Sequence, residues 1–455
     1  MKKSTMFPTA WGSGDLGKLL LMLKYNLLKK YLKEDTESSI NVINGFLYLS
    51  ALISKAYPWI QDNSAFLNGL KPVVFIGRFL GVLPRSDILV SKQGAQRRFS
   101  FPLLFTGFLA LFFFVNAILL VRSYFSSLKT TPATSEKLAN FGSVVYVWSM
   151  FFLYAYFLFT SKRFRNVVLS FQAQGDQPSQ FSTKFPGAYV KFCWIMCFAC
   201  MLFGISENVL YDLQNITKRG KVDSPFRLYY KQNFEHWALF IPYNPVLTFF
   251  FVLIIKCGTW GWVSGDIIPI VMSKALTYKL EMMNAEIKGK ISPGLMPAKM
   301  NATETRMFAT TLQGIRTDFM NLLNLSVEVQ KFIVPLILSC YAASLFLWID
   351  PYRPAVTAEQ SHYAYFAFLN FLYRITSVTY FAAEVHYTSS SILTTIQLCP
   401  NAFYTLSLER LEQLLSSNPI GIRLFGSFMI SRKSFITIIS FVFTTEIVLL
   451  QTIKD

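Results

Sequence analysis

Seven stretches of this chain are too long and too apolar to be ordinary elements of a soluble domain. They cover residues 102–124, 139–160, 187–210, 237–258, 327–348, 363–386 and 433–452. A helix rises about 1.5 Å per residue, so roughly 20 apolar residues cross the ~30 Å of bilayer hydrocarbon. Inside lipid, backbone N–H and C=O groups must find partners within the protein, which makes runs of this length helices. The fold class expected is an all-α membrane protein with seven transmembrane helices. Composition agrees, with 53% hydrophobic and only 15% charged residues, against about 25% charged in soluble domains. A mean hydropathy of +0.39 leaves too little polar surface to coat a core that apolar.

The rest of the chain is arranged around those spans. Residues 71–85, KPVVFIGRFLGVLPR, are apolar but too short to cross, and predict a re-entrant or membrane-associated helix. Residues 1–66 predict a cytoplasmic arm and residues 67–455 the seven-helix domain. Within the arm, Leu16, Leu19, Leu20, Leu23, Leu27 and Tyr31 recur at helical spacing among lysines. That is a basic amphipathic helix, which either lies on an anionic membrane face or packs on cytosolic structure. No apolar stretch adjoins the opening MKKSTMFPTAWGSGD, so no cleavable signal is expected. The helical pattern of the fourth span runs on through Gly261 and Ser273 to Lys288, predicting a rod that projects beyond the bilayer.

Orientation follows from the basic residues. With the N-terminus inside, about 29 of the 43 lysines and arginines fall in the arm and the cytoplasmic loops, and about 10 outside. The C-terminus is then extracellular, and Asn215-Ile216-Thr217 is an external glycosylation acceptor at Asn215. The net charge of +18 is spread over loops with no zinc or RNA-binding motif, so nucleic acid is not expected as a partner. Cys193, Cys197 and Cys200 share a helix face without histidine or carboxylate company, which predicts packing and no metal. No HExxH, GxSxG or Walker motif is present, so neither enzyme activity nor a cofactor is expected. Lys256, Lys331 and Arg163 end apolar runs and read as snorkelling anchors.

In the last span, helical spacing places Thr444, Ile447, Val448 and Gln451 on one strip. Such a strip either packs on neighbouring helices or lines a pore, with apolar residues as a dewetting constriction. Arg374 lies 11 residues beyond Tyr363, near mid-membrane, where arginine needs an acidic or carbonyl partner; Glu207 and Glu446 are candidates.

The segment Thr444-Thr445-Glu446-Ile447-Val448-Leu449-Leu450-Gln451-Thr452 resembles the C-terminal signature of insect gustatory receptors. Thr445 and Thr452 stand where that signature has tyrosine and phenylalanine. Further stretches resemble the sugar-receptor branch in the same order. They are Gly204-Ile205-Ser206-Glu207-Asn208-Val209-Leu210-Tyr211, Ile241-Pro242-Tyr243-Asn244-Pro245, Met272-Ser273-Lys274-Ala275-Leu276-Thr277-Tyr278, Arg374-Ile375-Thr376 and Ala382-Ala383-Glu384. The resemblance covers about residues 67 to 455. It implies an insect chemoreceptor-type subunit, four of which surround a pore lined by the seventh helices. The assembly would be a homo- or heterotetramer with related sugar receptor subunits, in the plasma membrane of gustatory sensory neurons. Sugars would be the ligands, monovalent and divalent cations the permeants, and Thr444, Ile447, Val448 and Gln451 the pore and gate.

The resemblance also puts a tastant pocket in the outer half of the bundle. Sugars present hydroxyls and apolar ring faces, so aromatic platforms with amides and carboxylates are the groups to seek there. Tyr146, Trp148, Glu207, Asn208, Tyr211, Tyr243, Asn244, Trp348, Asp350, Tyr363, Asn370 and Arg374 fall in those outer halves. Each is otherwise an interfacial aromatic or a satisfied structural polar group, and Arg374 in particular is either a tether or a ligand contact. Two rivals remain, a G-protein-coupled-type seven-helix receptor and a sugar transporter. The first needs an external N-terminus; the second commonly shows paired broken helices, which are not visible here.

Overall fold

Long helices dominate the structure, a computed structural model. It describes residues 65–84, 101–128, 134–176, 187–217, 240–291, 302–347, 362–399 and 406–441, with 227, 230, 231, 234–237, 404 and 444. All of these fall in one unit, Asp62–Asp455. In chain order the helices are α1 (Ala65–Phe79), α2 (Phe101–Ser127), α3 (Thr134–Asp176), α4 (Gly187–Thr217), α5 (Pro245–Ile291), α6 (Ala302–Leu347), α7 (His362–Gln397) and α8 (Leu406–Ser417). The described part of a last helix, α9, is 432–441.

Five helices among the described residues are long and apolar enough to cross a membrane, namely α2 to α6. Helix α7 falls below that apolarity because it carries Asn370, Arg374, Glu384 and His386, and the structure pairs the charged ones within the bundle. Helix α5 holds 47 residues, about 70 Å at 1.5 Å each, so the expected rod is present. Its start differs from expectation. The fourth helix opens at Pro245 rather than 237, because the Asn244 side-chain oxygen accepts the N–H groups of Val246 and Leu247 at 2.9 and 3.2 Å. Asn as N-cap followed by proline at the first helical position is a strong helix start. Residues 235–237 form a separate 3-10 turn.

Contacts fix the helix directions. Asp266, Lys274 and Asn284 of α5 meet Arg374, Glu384 and Ser391 of α7 in ascending order, so these two helices run parallel. Glu207, Cys200 and Phe192 of α4 meet Asn370, Tyr373 and Phe381 in descending order, so α4 is antiparallel to both. Helix α5 lies at the centre, touching α1, α3, α4, α6 and α7. Helix α1 is buried too, with Phe66, Leu67, Leu70, Val73 and Val74 each no more than 2% exposed. It ends at Gly81, whose φ of +70° suits glycine, and a Cβ there would strike the Phe105 ring at 2.7 Å.

One element lies outside the all-helical expectation. Arg423–Leu424 and Phe428–Met429 form a two-stranded antiparallel hairpin just before α9. Each strand is two residues long, too short for a period-2 pattern to register in sequence.

Candidate functional site

A cluster of polar side chains sits where α4, α5 and α7 meet. Arg374 lies 12 residues into α7, about 18 Å from its start. Its Nε donates to Asp266 Oδ2 of α5 at 2.5 Å, with both side chains under 10% exposed. Its guanidinium stacks 3.7 Å from the centroid of the Trp262 ring, one turn earlier on α5. From α4, Glu207 attracts Arg374 electrostatically and accepts a hydrogen bond from Asn370 Nδ2. Helix α4 comes this close to α5 because position 204 is glycine: a Cβ there would lie 2.8 Å from Val263.

A buried charge is tolerated in a bundle only when paired, and this pairing is incomplete. Among the described residues, Arg374 Nη2 and Trp262 Nε1 are buried donors with no partner. Two carboxylates, an amide, a guanidinium and an indole thus meet, with two donors unused among the described residues. Ionised carboxylates only accept and guanidinium and indole N–H only donate, whereas sugar hydroxyls do both. The set is complementary to a polyhydroxyl ligand.

A second tier adjoins it. Lys256 Nζ pairs with Asp212 Oδ2 at 2.8 Å and reaches Asn208 Oδ1 at 3.3 Å, tying α5 to α4. The expectation of a snorkelling anchor at Lys256 is corrected: a carboxylate lies within reach inside the bundle. Tyr146 of α3 joins through its edge-on contact with Trp262, centroids 5.6 Å apart, and its hydroxyl shares a hydrogen bond with Thr259.

Among the sequence-selected residues, Glu207, Asn208, Asn370, Arg374 and Tyr146 therefore come together. Tyr211 is one turn beyond Glu207 on α4. Trp148 packs instead among Phe114, Phe151 and Phe152, and Asn244 is committed to capping α5. Tyr243 stands edge-on to Tyr230. Trp348, Asp350, Ile447, Val448, Gln451 and Glu446 lie outside the described residues, as do the side chains of Tyr363 and Asn215. Thr444 is exposed and its hydroxyl donates to Ser440 O at 2.8 Å. Asp266, Trp262 and Asp212 escaped the sequence reading. Asp266 could have been found, since a lone carboxylate in GWVSGDIIPI is costly without a partner.

The loop before α5 reaches into the bundle as well. Trp237 Nε1 donates to Asn116 Oδ1 of α2 at 2.7 Å, and His236 Nε2 meets the same oxygen at 2.6 Å. Indole N–H can only donate, so the shared atom is an acceptor and His236 carries its proton on Nε2. Burial holds the His236 pKa down to about 4. The folded protein thus keeps this imidazole neutral while the unfolded chain protonates it near pH 6.5. The stability it confers is full above pH 6.5 and is lost as pH falls towards 4, by about 3 kcal/mol. Thermal unfolding in detergent should show a falling midpoint across that window, flattened in His236→Gln, which retains a donor but does not titrate.

Comparisons with known proteins accord with this architecture. A family model described as trehalose receptor matches residues 50–455. The "Gustatory receptor for sugar taste 64a" of Drosophila melanogaster is 21% identical over 252 residues, covering 53% of this chain and 54% of the relative. The chain thus spans about half the length of the curated relative it matches. The insect olfactory receptor OR5 from Machilis hrabei superposes with a TM-score of 0.58, and its complex with eugenol with 0.57. Each is 14% identical and covers 84% of this chain and 97% of the other. The structural likeness shows a shared insect chemoreceptor fold. With the family model matching from residue 50 to the last residue, this chain belongs to the trehalose receptor family, among the sugar receptors of the insect gustatory group.

Proposed function

We infer that this chain is a subunit of a sugar-gated, non-selective cation channel, and that the cluster around Arg374 is its sugar pocket. One observation carries the pocket: two buried donors, Arg374 Nη2 and Trp262 Nε1, have no partner among the described residues, in a cluster that holds the carboxylates of Asp266 and Glu207. Such donors cost about 1–3 kcal/mol each while unpaired. A ligand offering hydroxyl oxygens recovers that energy, and its hydroxyl hydrogens bond the carboxylates. Trehalose, after which the matching family is described, is the first candidate.

The layout that supports conduction has seven crossings, the amino end in the cytosol and the carboxyl end outside. Four copies, identical or related, surround an axis lined by the strip Thr444, Ile447, Val448 and Gln451, in the plasma membrane of a gustatory neuron. Sodium, potassium and calcium would pass. Family membership supports the sugar, and the fold shared with an insect olfactory receptor supports the assembly. The test is whole-cell recording from cells expressing the full chain with G-protein signalling blocked. Trehalose should evoke a cation current within milliseconds. A response that disappears under the block sinks the channel in favour of a G-protein-coupled receptor; stoichiometric uptake of labelled trehalose without conductance would point to a transporter.

A further inference from the structure

Helix α7 offers different faces of the same two turns to different partners. Asn370 and Arg374 face the polar cluster. Their neighbours Phe371 and Ile375, each about 100° further round, form a buried cluster against which Ile438 of α9 packs. Lower on α7 the Tyr380 ring meets Phe435 edge-on with centroids 6.2 Å apart. Lower again, the Arg432 guanidinium stacks 3.2 Å from the Tyr387 centroid. Residues 438, 435 and 432 thus descend as 375, 380 and 387 ascend, and α9 lies antiparallel along α7 through its described length. The segment leading into α9 is held by the same helix. Ser389 Oγ accepts the Ile420 N–H at 3.1 Å, and Gly421 abuts His386.

The stiffness of α7 completes the case. Its 36 residues contain neither glycine nor proline, the usual sites of helix kinks. Helix α5, across the polar cluster, carries Gly258, Gly261, Gly265 and Pro269. Lys274 pairs with Glu384 at 3.0 Å and Asn284 bonds Ser391 and Thr395, so α7 and α5 are fastened below the cluster. With no glycine or proline to kink it, α7 has little means of absorbing a displacement of Arg374 by bending.

We propose that α7 is the transmission element between the polar cluster and the last helix, and that Ile438, Phe435 and Arg432 are the residues through which α9 follows it. This rests on the sugar-channel reading above. Arg432 and Tyr387 act as coupling residues: their stack lies along α7 away from the polar cluster around Arg374.

The test compares the full chain with Ile438→Ala, Ile438→Val, Arg432→Gln, Tyr387→Leu and the Arg432→Gln/Tyr387→Leu double variant. Trehalose binding to purified protein is read by tryptophan fluorescence, and current per surface-labelled subunit by whole-cell recording. Ile438→Ala, Arg432→Gln and Tyr387→Leu should keep binding within about threefold and lose about fivefold or more of the evoked current. The double variant should lose no more than either of its singles, and Ile438→Val should restore most of the loss at that position. The proposal is overturned if binding and current fall together, or if evoked current stays within about twofold of the parent. A parent that binds trehalose but passes no current refutes the channel itself, and α7 as transmitter with it. A responsive parent with fully responsive variants refutes only the coupling.

Discussion

Arg374→Gln is expected to abolish the trehalose response, with an apparent affinity loss of about a hundredfold or more, and to destabilise the protein as well. Glutamine cannot supply the guanidinium that bonds Asp266, stacks on Trp262 and faces Glu207. Its removal leaves two carboxylates buried without their cation, a situation that costs about 3–5 kcal/mol when a buried pair is broken. Loss of response alone would therefore be ambiguous between failed recognition and failed folding. The Asp266→Asn/Arg374→Gln double variant separates them. The neutral amide pair removes one of the two uncompensated charges and leaves Glu207 with its Asn370 hydrogen bond, so the thermal midpoint should recover part of its loss. The sugar response should not recover, because the charged donor and acceptor that match hydroxyl groups are both gone. Recovery of the response in the double variant would show that Arg374 only tethers α7 to α5.

Why Arg374 was legible and its partner was not follows from what each contrasts with. An arginine inside FLNFLYRITSVTYF interrupts a span and demands a counter-charge somewhere. Sequence spacing restricts partners on the same helix but says nothing about which other helix faces it. Glu207 was reachable because it ends an apolar run on α4. Asp266 sits beyond the fourth span as drawn from hydropathy, in the extension of α5, and so fell outside the residues considered. The same boundary also placed the helix start at 237: Trp237 is apolar, yet it lies in a 3-10 turn ahead of α5 and donates to Asn116. The spans themselves were legible because bilayer thickness sets a length that few other structures require. The hairpin and the Lys256–Asp212 pair depend on tertiary approach, which no local pattern encodes.

The largest effect on folding is expected at Gly261. Helix α5 passes α1 and α3 so closely that a Cβ at position 261 would collide with the Tyr154 hydroxyl and sit 2.9 Å from Val82 Cγ2. Tyr154 is fully buried, and its hydroxyl lies 2.9 Å from Leu80 O and 3.0 Å from Cys257 O, so one side chain pins α1, α3 and α5 together. In Gly261→Leu the ring must leave. Overpacking costs about 1–3 kcal/mol, and a buried hydroxyl and carbonyls stripped of partners cost about 1–3 kcal/mol more. Against a total stability of about 5–15 kcal/mol, a combined loss of about 2–6 kcal/mol removes a large part of the margin and raises the unfolded population that cells degrade. Surface-labelled protein should fall about tenfold, with the remainder aggregated on size-exclusion chromatography. Tyr154→Phe keeps the ring and loses only the hydroxyl, so it should lower the thermal midpoint while leaving surface amounts near the parent's. Gly107→Leu is the control: it adds the same bulk in another apolar helix, at a position where a Cβ meets none of the described residues within 4 Å. If it depletes the surface pool as Gly261→Leu does, helix propensity or insertion is responsible, and the close approach of α5 to Tyr154 is not.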